Sequence, residues 1–116
     1  MALIYADEGR WEGLPSEERE GILEQYMAFS REARDAGVMV AGDELAPVRD
    51  ATTVRVREGG TVVTDGPYAE VKEALGGYFV LECPTIDEAV AWAARIPGAA
   101  HGAIEVRPVH VDGEES

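Results

Sequence analysis

One cysteine, Cys83, stands among the 116 residues. That excludes an internal disulfide and any cysteine-built metal cluster. It sits in the apolar run Tyr78-Phe79-Val80-Leu81-Glu82-Cys83 and reads as a buried, inert thiol rather than a nucleophile. Histidine is almost as scarce: only His101 and His110 occur, and each reads as a surface residue rather than a base or metal ligand. Positive charge is in short supply too, with 10 Lys and Arg against 23 Asp and Glu and a formal net charge of −13. Such a surface repels phosphate backbones, so direct nucleic-acid binding is not expected. No apolar run of about 18 residues and no basic-then-apolar leader is present, so neither membrane spanning nor secretion is expected and the address reads as cytoplasmic. No glycine-rich nucleotide loop occurs, and no cofactor or metal is expected.

What is there reads as one globular domain over residues 1–111, with residues 112–116 as a flexible acidic tail. Met1 to Ala6 predicts a first strand, followed by a loop over residues 9–15 that holds Trp11 and Pro15. A helix is expected from Ser16 to Ala36, with Ser16 as N-cap and Glu17 and Glu18 at the positive end of its dipole. Ile22, Tyr26, Phe29 and Ala33, widened by Leu23, Met27 and Ser30, give its apolar stripe, and Gly37 ends it. The acidic residues Glu17, Glu18, Glu20 and Glu24 read as a solvated face, or alternatively as a patch that docks a basic partner.

A second strand begins at Val38 and continues toward Leu45. Thr52 to Arg57 and Thr61 to Thr64, flanking Glu58-Gly59-Gly60, predict a β-hairpin. Gly77 to Cys83, apolar on both faces, reads as a central strand. Thr85 has the spacing to cap a second helix, three residues before Glu88, with Ile86, Ala89, Val90, Ala93 and Ile96 on one side and Pro97-Gly98 at its end. A last strand is expected from Ala103 to Val109. The order β-α-β, hairpin, β-α-β predicts an α+β, ferredoxin-like domain with two helices on one face of an antiparallel sheet. In the last strand Ile104, Val106 and Pro108 share one face while Glu105, Arg107 and Val109 share the other. A polar face there needs either water or a second subunit enclosing a polar pocket.

Asp65-Gly66-Pro67-Tyr68 has turn chemistry. The segment also concentrates Asp65, Tyr68, Glu70, Lys72 and Glu73, with Gly76-Gly77 close behind. A carboxylate fixed beside a tight turn can carry a proton or accept a ligand's donor, which makes Asp65 the candidate acid/base group. Gly66, Pro67, Tyr68, Glu70 and Lys72 are candidate binding residues around it. Glu105 and Arg107 allow two readings, exposed cross-strand ion pairing or an anion site in which Arg107 offers its forked donors. Tyr5 and Tyr78 are candidate pocket walls, whereas Trp11 and Trp92 read as packing residues.

The run Thr64-Asp65-Gly66-Pro67-Tyr68-Ala69-Glu70-Val71-Lys72-Glu73, the Leu75-Gly76-Gly77-Tyr78-Phe79 strand, the Asp87-Glu88-Ala89 to Trp92-Ala93 helix and Gly102 to Val109 together resemble the DGPF group of YCII-related proteins. The resemblance covers essentially the whole chain in order and spacing. It implies a ferredoxin-like subunit that pairs sheet to sheet into a homodimeric α/β barrel, a bacterial origin, and genomic association with extracytoplasmic-function sigma factors. Tyr68 stands where the motif usually has Phe, and Val71 where it usually has Thr or Ser. YCII-like relatives carry a His/Asp pair proposed as catalytic, but neither His101 nor His110 falls in the early-helix region that pair implies. Haem ligation of the kind seen in other dimeric α/β barrels finds no clear anchor either. The functional expectation is a homodimer binding an unidentified small molecule, with cofactor-free acid/base catalysis as an open possibility. The alternative is a non-catalytic accessory protein of a sigma factor.

Overall fold

The computed structural model describes residues 1–110, so the acidic tail expected at 112–116 lies outside the described residues. Strand β1 (Ala2–Ala6) is followed by a five-residue helix, α1 (Glu8–Glu12), where a loop was expected. Asp7 caps it, its Oδ1 accepting from the amides of Gly9 at 3.0 Å and Arg10 at 3.4 Å. Glu8 accepts the Val48 amide with both carboxylate oxygens, and Arg49 bonds Glu12 at 2.9 Å. A helix this short shows no periodicity; it is held by a cap and by the turn Val48–Asp50.

Helix α2 (Ser16–Asp35) starts one position earlier than its expected cap: Pro15 occupies the N-cap without a side-chain bond, and Ser16 is already helical. Glu17 and Glu18 in the first turn complement the dipole instead. At its other end Gly37, at φ 72°, donates to Arg34 O while Val38 donates to Ala33 O. This pair of bonds satisfies the last carbonyls in a Schellman arrangement.

Strand β2 (Met39–Glu44) leads to a hairpin, β3 (Thr52–Arg57) and β4 (Gly60–Asp65). Its turn is centred on Glu58 and Gly59, at φ 52° and 76°, the paired left-handed conformation that matches strand twist. Strand β5 spans Ala74–Leu81, three residues longer at its start than expected and ending before Cys83. Helix α3 (Ile86–Ala93) is capped by Thr85, whose hydroxyl accepts the Glu88 amide at 3.2 Å. Strand β6 ends at Val106 rather than Val109, although Arg107 still donates its amide to Met1 O.

The four-stranded sheet has the order β2-β5-β1-β6, with every neighbouring pair antiparallel. Helices α2 and α3 meet one face of it, which is the ferredoxin-like arrangement. The core on that face joins Ala2, Phe29, Ala33, Phe79, Ala93 and Ile96. Phe79 lies between Phe29, centroids 5.1 Å apart, and Tyr26 at 6.5 Å, and Trp92 meets Phe29 edge-on. Glycine is needed twice here. A Cβ on Gly42 would sit 2.4 Å from the Phe79 ring, and one on Gly102 would sit 2.1 Å from Tyr5 O. Leu23 and Met27, assigned to the apolar stripe from spacing, are 45% and 68% exposed, and Ile86 and Val90 are half exposed on α3. The true stripe is narrower because the sheet it meets is only four strands wide. Cys83 is half-buried rather than fully buried, and desolvation, then the nearby Glu88 carboxylate, pushes its thiol pKa up.

The hairpin forms its own two-stranded sheet and packs extensively on no other element. It contributes to a flat outline of 48 × 48 × 18 Å. The Cα radius of gyration of 16.5 Å exceeds the roughly 13–14 Å of a compact chain of this length.

Phe79→Ala is expected to lose about 3–5 kcal/mol in urea denaturation, whereas Met27→Ala should stay within about 0.5 kcal/mol of the parent. Equal costs would place the core elsewhere.

Candidate functional site

Neither long helix covers the other face of the sheet, and register alone assembles a site there. Asp43 on β2 pairs with Tyr78 on β5, Tyr78 with Leu3 on β1, and Leu3 with Glu105 on β6. These four residues form one row across all four strands, because directly opposed residues point to the same side. Tyr78 donates its hydroxyl to Asp43 Oδ2 at 2.9 Å. Along β1 from Leu3, beyond a bulge, Tyr5 donates to Glu105 Oε1 at 3.4 Å. The face therefore carries two phenol–carboxylate pairs with Leu3 between them.

The hydrogen bond to Asp43, then the charge of that carboxylate, raises the Tyr78 pKa above its ordinary value. The phenol is thereby held protonated, as a donor. Each carboxylate keeps free lone pairs and each phenol oxygen can still accept, so the face can receive donors such as amines or hydroxyls and pass a proton along either pair. A third phenol, Tyr26, belongs to the helix side. Burial raises its pKa against a backbone bond to Gly98 that lowers it, and its role is packing.

The second half of the expected site stands apart. Asp65 is the last residue of β4, exposed and opposite Thr52. Gly66, at φ 105°, donates its amide to Ala51 O at 2.7 Å and accepts the Thr53 hydroxyl at 2.9 Å. The loop is thus anchored to the hairpin's own base. Pro67 is half-buried, while Tyr68 is 77% exposed with its ring under the Arg55 guanidinium at 5.2 Å. Glu70 and Lys72 are exposed. Among the described residues, no hydrogen bond or ion pair joins this loop to Tyr5, Tyr78, Glu105 or Arg107. One chain brings Tyr5 to Glu105 and lines Tyr78 up with them, but it leaves Asp65, Gly66, Pro67, Tyr68, Glu70 and Lys72 outside that group.

Of the two readings open for Glu105 and Arg107, ion pairing of either is not found among the described residues. Glu105 takes the Tyr5 hydroxyl, and the described ion pairs are Arg49–Glu12 and Arg95–Glu32. Asp43 escaped the sequence reading. The signal was present, since an acid two residues beyond Ala41 in a strand alternates onto one face, but its partner Tyr78 lies 35 residues away and only register joins them. Two open grooves lie on the helix side, one beside Gln25, Phe29, Glu32 and Arg95, the other between α3 and β6. Among the described residues no group of three or more His, Cys, Asp or Glu is placed to hold a metal ion, and no helix is long and apolar enough to cross a membrane.

A four-stranded antiparallel sheet with both long helices on one face and a polar, tyrosine-bearing face on the other defines a ferredoxin-like α+β class of subunit. Residues 1–111 match the model of the YCII-related domain. The chain is also 36% identical over 109 residues to an uncharacterised protein of Rhizobium meliloti (strain 1021), an alignment covering 92% of this chain and 88% of that protein. The protein belongs to the YCII-related family.

Asp43→Asn is expected to bring the Tyr78 titration down toward 10. Tyrosine-selective carbon NMR across alkaline pH would show it. The sign for stability follows from proton binding. The raised folded pKa means the native state holds the proton more tightly, so this contribution is present below the unfolded pKa and is lost as pH rises through the folded one. A Tyr78 titration unmoved by the substitution would remove Asp43 from the site.

Proposed function

We propose that the protein is a small-molecule-binding homodimer of the DGPF group within the YCII-related family, with the uncovered sheet face as a wall of its pocket. The observation that carries this reading is the pair of phenol–carboxylate couples, Tyr78–Asp43 and Tyr5–Glu105, presented on a face that no long helix covers. Leu3 and Val80 supply apolar floor beside them, and Arg107 supplies a cation whose side chain has no described partner. A ligand with both hydrogen-bond donors and an anionic group suits this combination. Asp65 is the acid/base candidate of the loop, and proton transfer, isomerisation or hydrolysis without a cofactor is the chemistry these residues can support. The Thr64–Glu73 segment supports assignment to the DGPF group.

A second reading rests on the exposed Glu17, Glu18, Glu20 and Glu24 of α2. That face suits a basic protein surface, and an extracytoplasmic-function sigma factor is the candidate partner.

Two measurements separate these readings. In a thermal-shift screen, a stabilising ligand should lose most of its effect against Arg107→Ala and Glu105→Gln, and part of it against Asp65→Ala; stabilisation that survives all three rejects the pocket. Sedimentation at micromolar concentration should give a dimer, and a monomer would reject the enclosed pocket altogether. For the second reading, a pull-down should retain the sigma factor on wild type and lose it when the four α2 glutamates become glutamine.

A further inference from the structure

The four strands of the main sheet carry three acids, Asp43, Glu44 and Glu105, and no Lys, Arg or His. Glu44 opposes Gly77, one step from the Asp43–Tyr78 pair, and so falls on the helix side. Asp43 and Glu105 remain on the uncovered face. Exposure alternates along β6 and past its end, with Glu105 and Arg107 exposed and Ile104 and Val106 half-buried. Arg107 therefore shares the face with Glu105 and balances the charge at that edge. Asp43 has no such neighbour. Neither β2 nor β5 holds a cation, and the described ion pairs do not include Asp43.

The bonded partner of Asp43 is neutral. Tyr78 donates its hydroxyl to Asp43 Oδ2 at 2.9 Å, and that bond keeps the phenol protonated. What the couple offers a ligand is acceptors alone, the free lone pairs of the carboxylate and of the phenol oxygen. A ligand hydroxyl can bond to them but leaves the charge standing. An ammonium group supplies three donors and the opposite charge together. The difference grows as the face is enclosed, because a desolvated carboxylate without a cation is strongly unfavourable. The aromatic ring of Tyr78 beside the carboxylate adds an attraction that only a cation gains.

Apolar surface adjoins this couple. Ala41 opposes Val80 on the same two strands, and Leu3 opposes Tyr78, so all three side chains share the face with Asp43. We infer that the Asp43–Tyr78 couple is the seat of a protonated amine, and that the ligand of the sheet face is an organic ammonium compound whose hydrocarbon part lies over Leu3, Ala41 and Val80. The inference rests on the pocket proposed above and deepens it. The donors required there are carried by a charged nitrogen at Asp43, and the anionic group is left for Arg107 at the β6 edge. Discrimination against alcohols follows from charge rather than from shape.

The probes are hexylamine, hexanol and hexanoate, which share one chain and differ in head group and charge. Each is titrated at neutral pH into the full-length protein. The ring carbons of Tyr78, assigned from the signal missing in Tyr78→Phe, are followed by NMR. The amine is expected to move Tyr78 saturably, with an affinity at least about tenfold above that of either other probe. In Asp43→Asn that preference should fall below about threefold. In Asp35→Asn, which removes the same charge from an exposed position on α2, it should persist. Hexanol or hexanoate binding as tightly as the amine at Tyr78 overturns the amine site and leaves the pocket standing. Equal losses in Asp43→Asn and Asp35→Asn mean attraction to net charge, which also overturns it. An amine that leaves Tyr78 unmoved overturns it as well; sedimentation then decides the pocket, since a monomer removes both. Should Asp43→Asn alter the far-UV spectrum or the urea transition, Asp43→Ser at the same exposed edge replaces it, with the same loss of preference expected.

Discussion

The seat of Phe79 against α2 is the contact on which the rest of the structure depends. Its ring occupies the space that Gly42 leaves on β2, lies beneath Phe29, and touches Tyr26. Because Phe79 is on the central strand β5 and pairs with both Ala2 and Gly42, this one contact holds the sheet against the helix layer and sets which side of β5 faces inward. With a side-chain period of two, Tyr78 and Val80 are then committed to the other face. The hydrophobic seam on one side thus decides where the phenols stand on the other.

That commitment links the core to function. Turning Tyr78 outward brings it beside Asp43, and turning Leu3 and Glu105 the same way completes the row in which Tyr5 finds a carboxylate. No dedicated loop is required: a regular antiparallel sheet converts side-chain alternation into a polar surface. A Gly102 that admits Tyr5 O at close range keeps β1 and β6 near enough at that end for the Tyr5–Glu105 bond. The same economy leaves the face uncovered, which is why a second copy enters the proposed pocket.

The long elements were legible from the sequence because their signals are local and repeated. Gly37 and the Thr85–Glu88 cap marked helix boundaries, the β-branched residues flanking Glu58-Gly59-Gly60 marked the hairpin, and the two-sided apolarity of Gly77 to Cys83 marked a central strand, which in the structure ends at Leu81. The failures were of one kind. Helix α1 depends on Glu8 reaching Val48, 40 residues away; Leu23 and Met27 matched the helical stripe but the sheet beneath is too narrow to cover them. Asp43 alternates onto the sheet face by a local rule, but its partner Tyr78 lies 35 residues away.

The chain's own order of residues determined the ferredoxin-like topology, the scarcity of thiol and imidazole chemistry, and the family to which it belongs, because periodicity, turn residues and motif spacing are properties of neighbours along the chain. Only the tertiary structure decided which polar residues meet. Register across β2, β5, β1 and β6 joined Tyr78 to Asp43 and Tyr5 to Glu105, and the hairpin's independence from the sheet kept Asp65 apart from them. Both are outcomes of long-range strand pairing, and a pairing between residues 35 or 100 positions apart leaves no mark on the neighbours of either one.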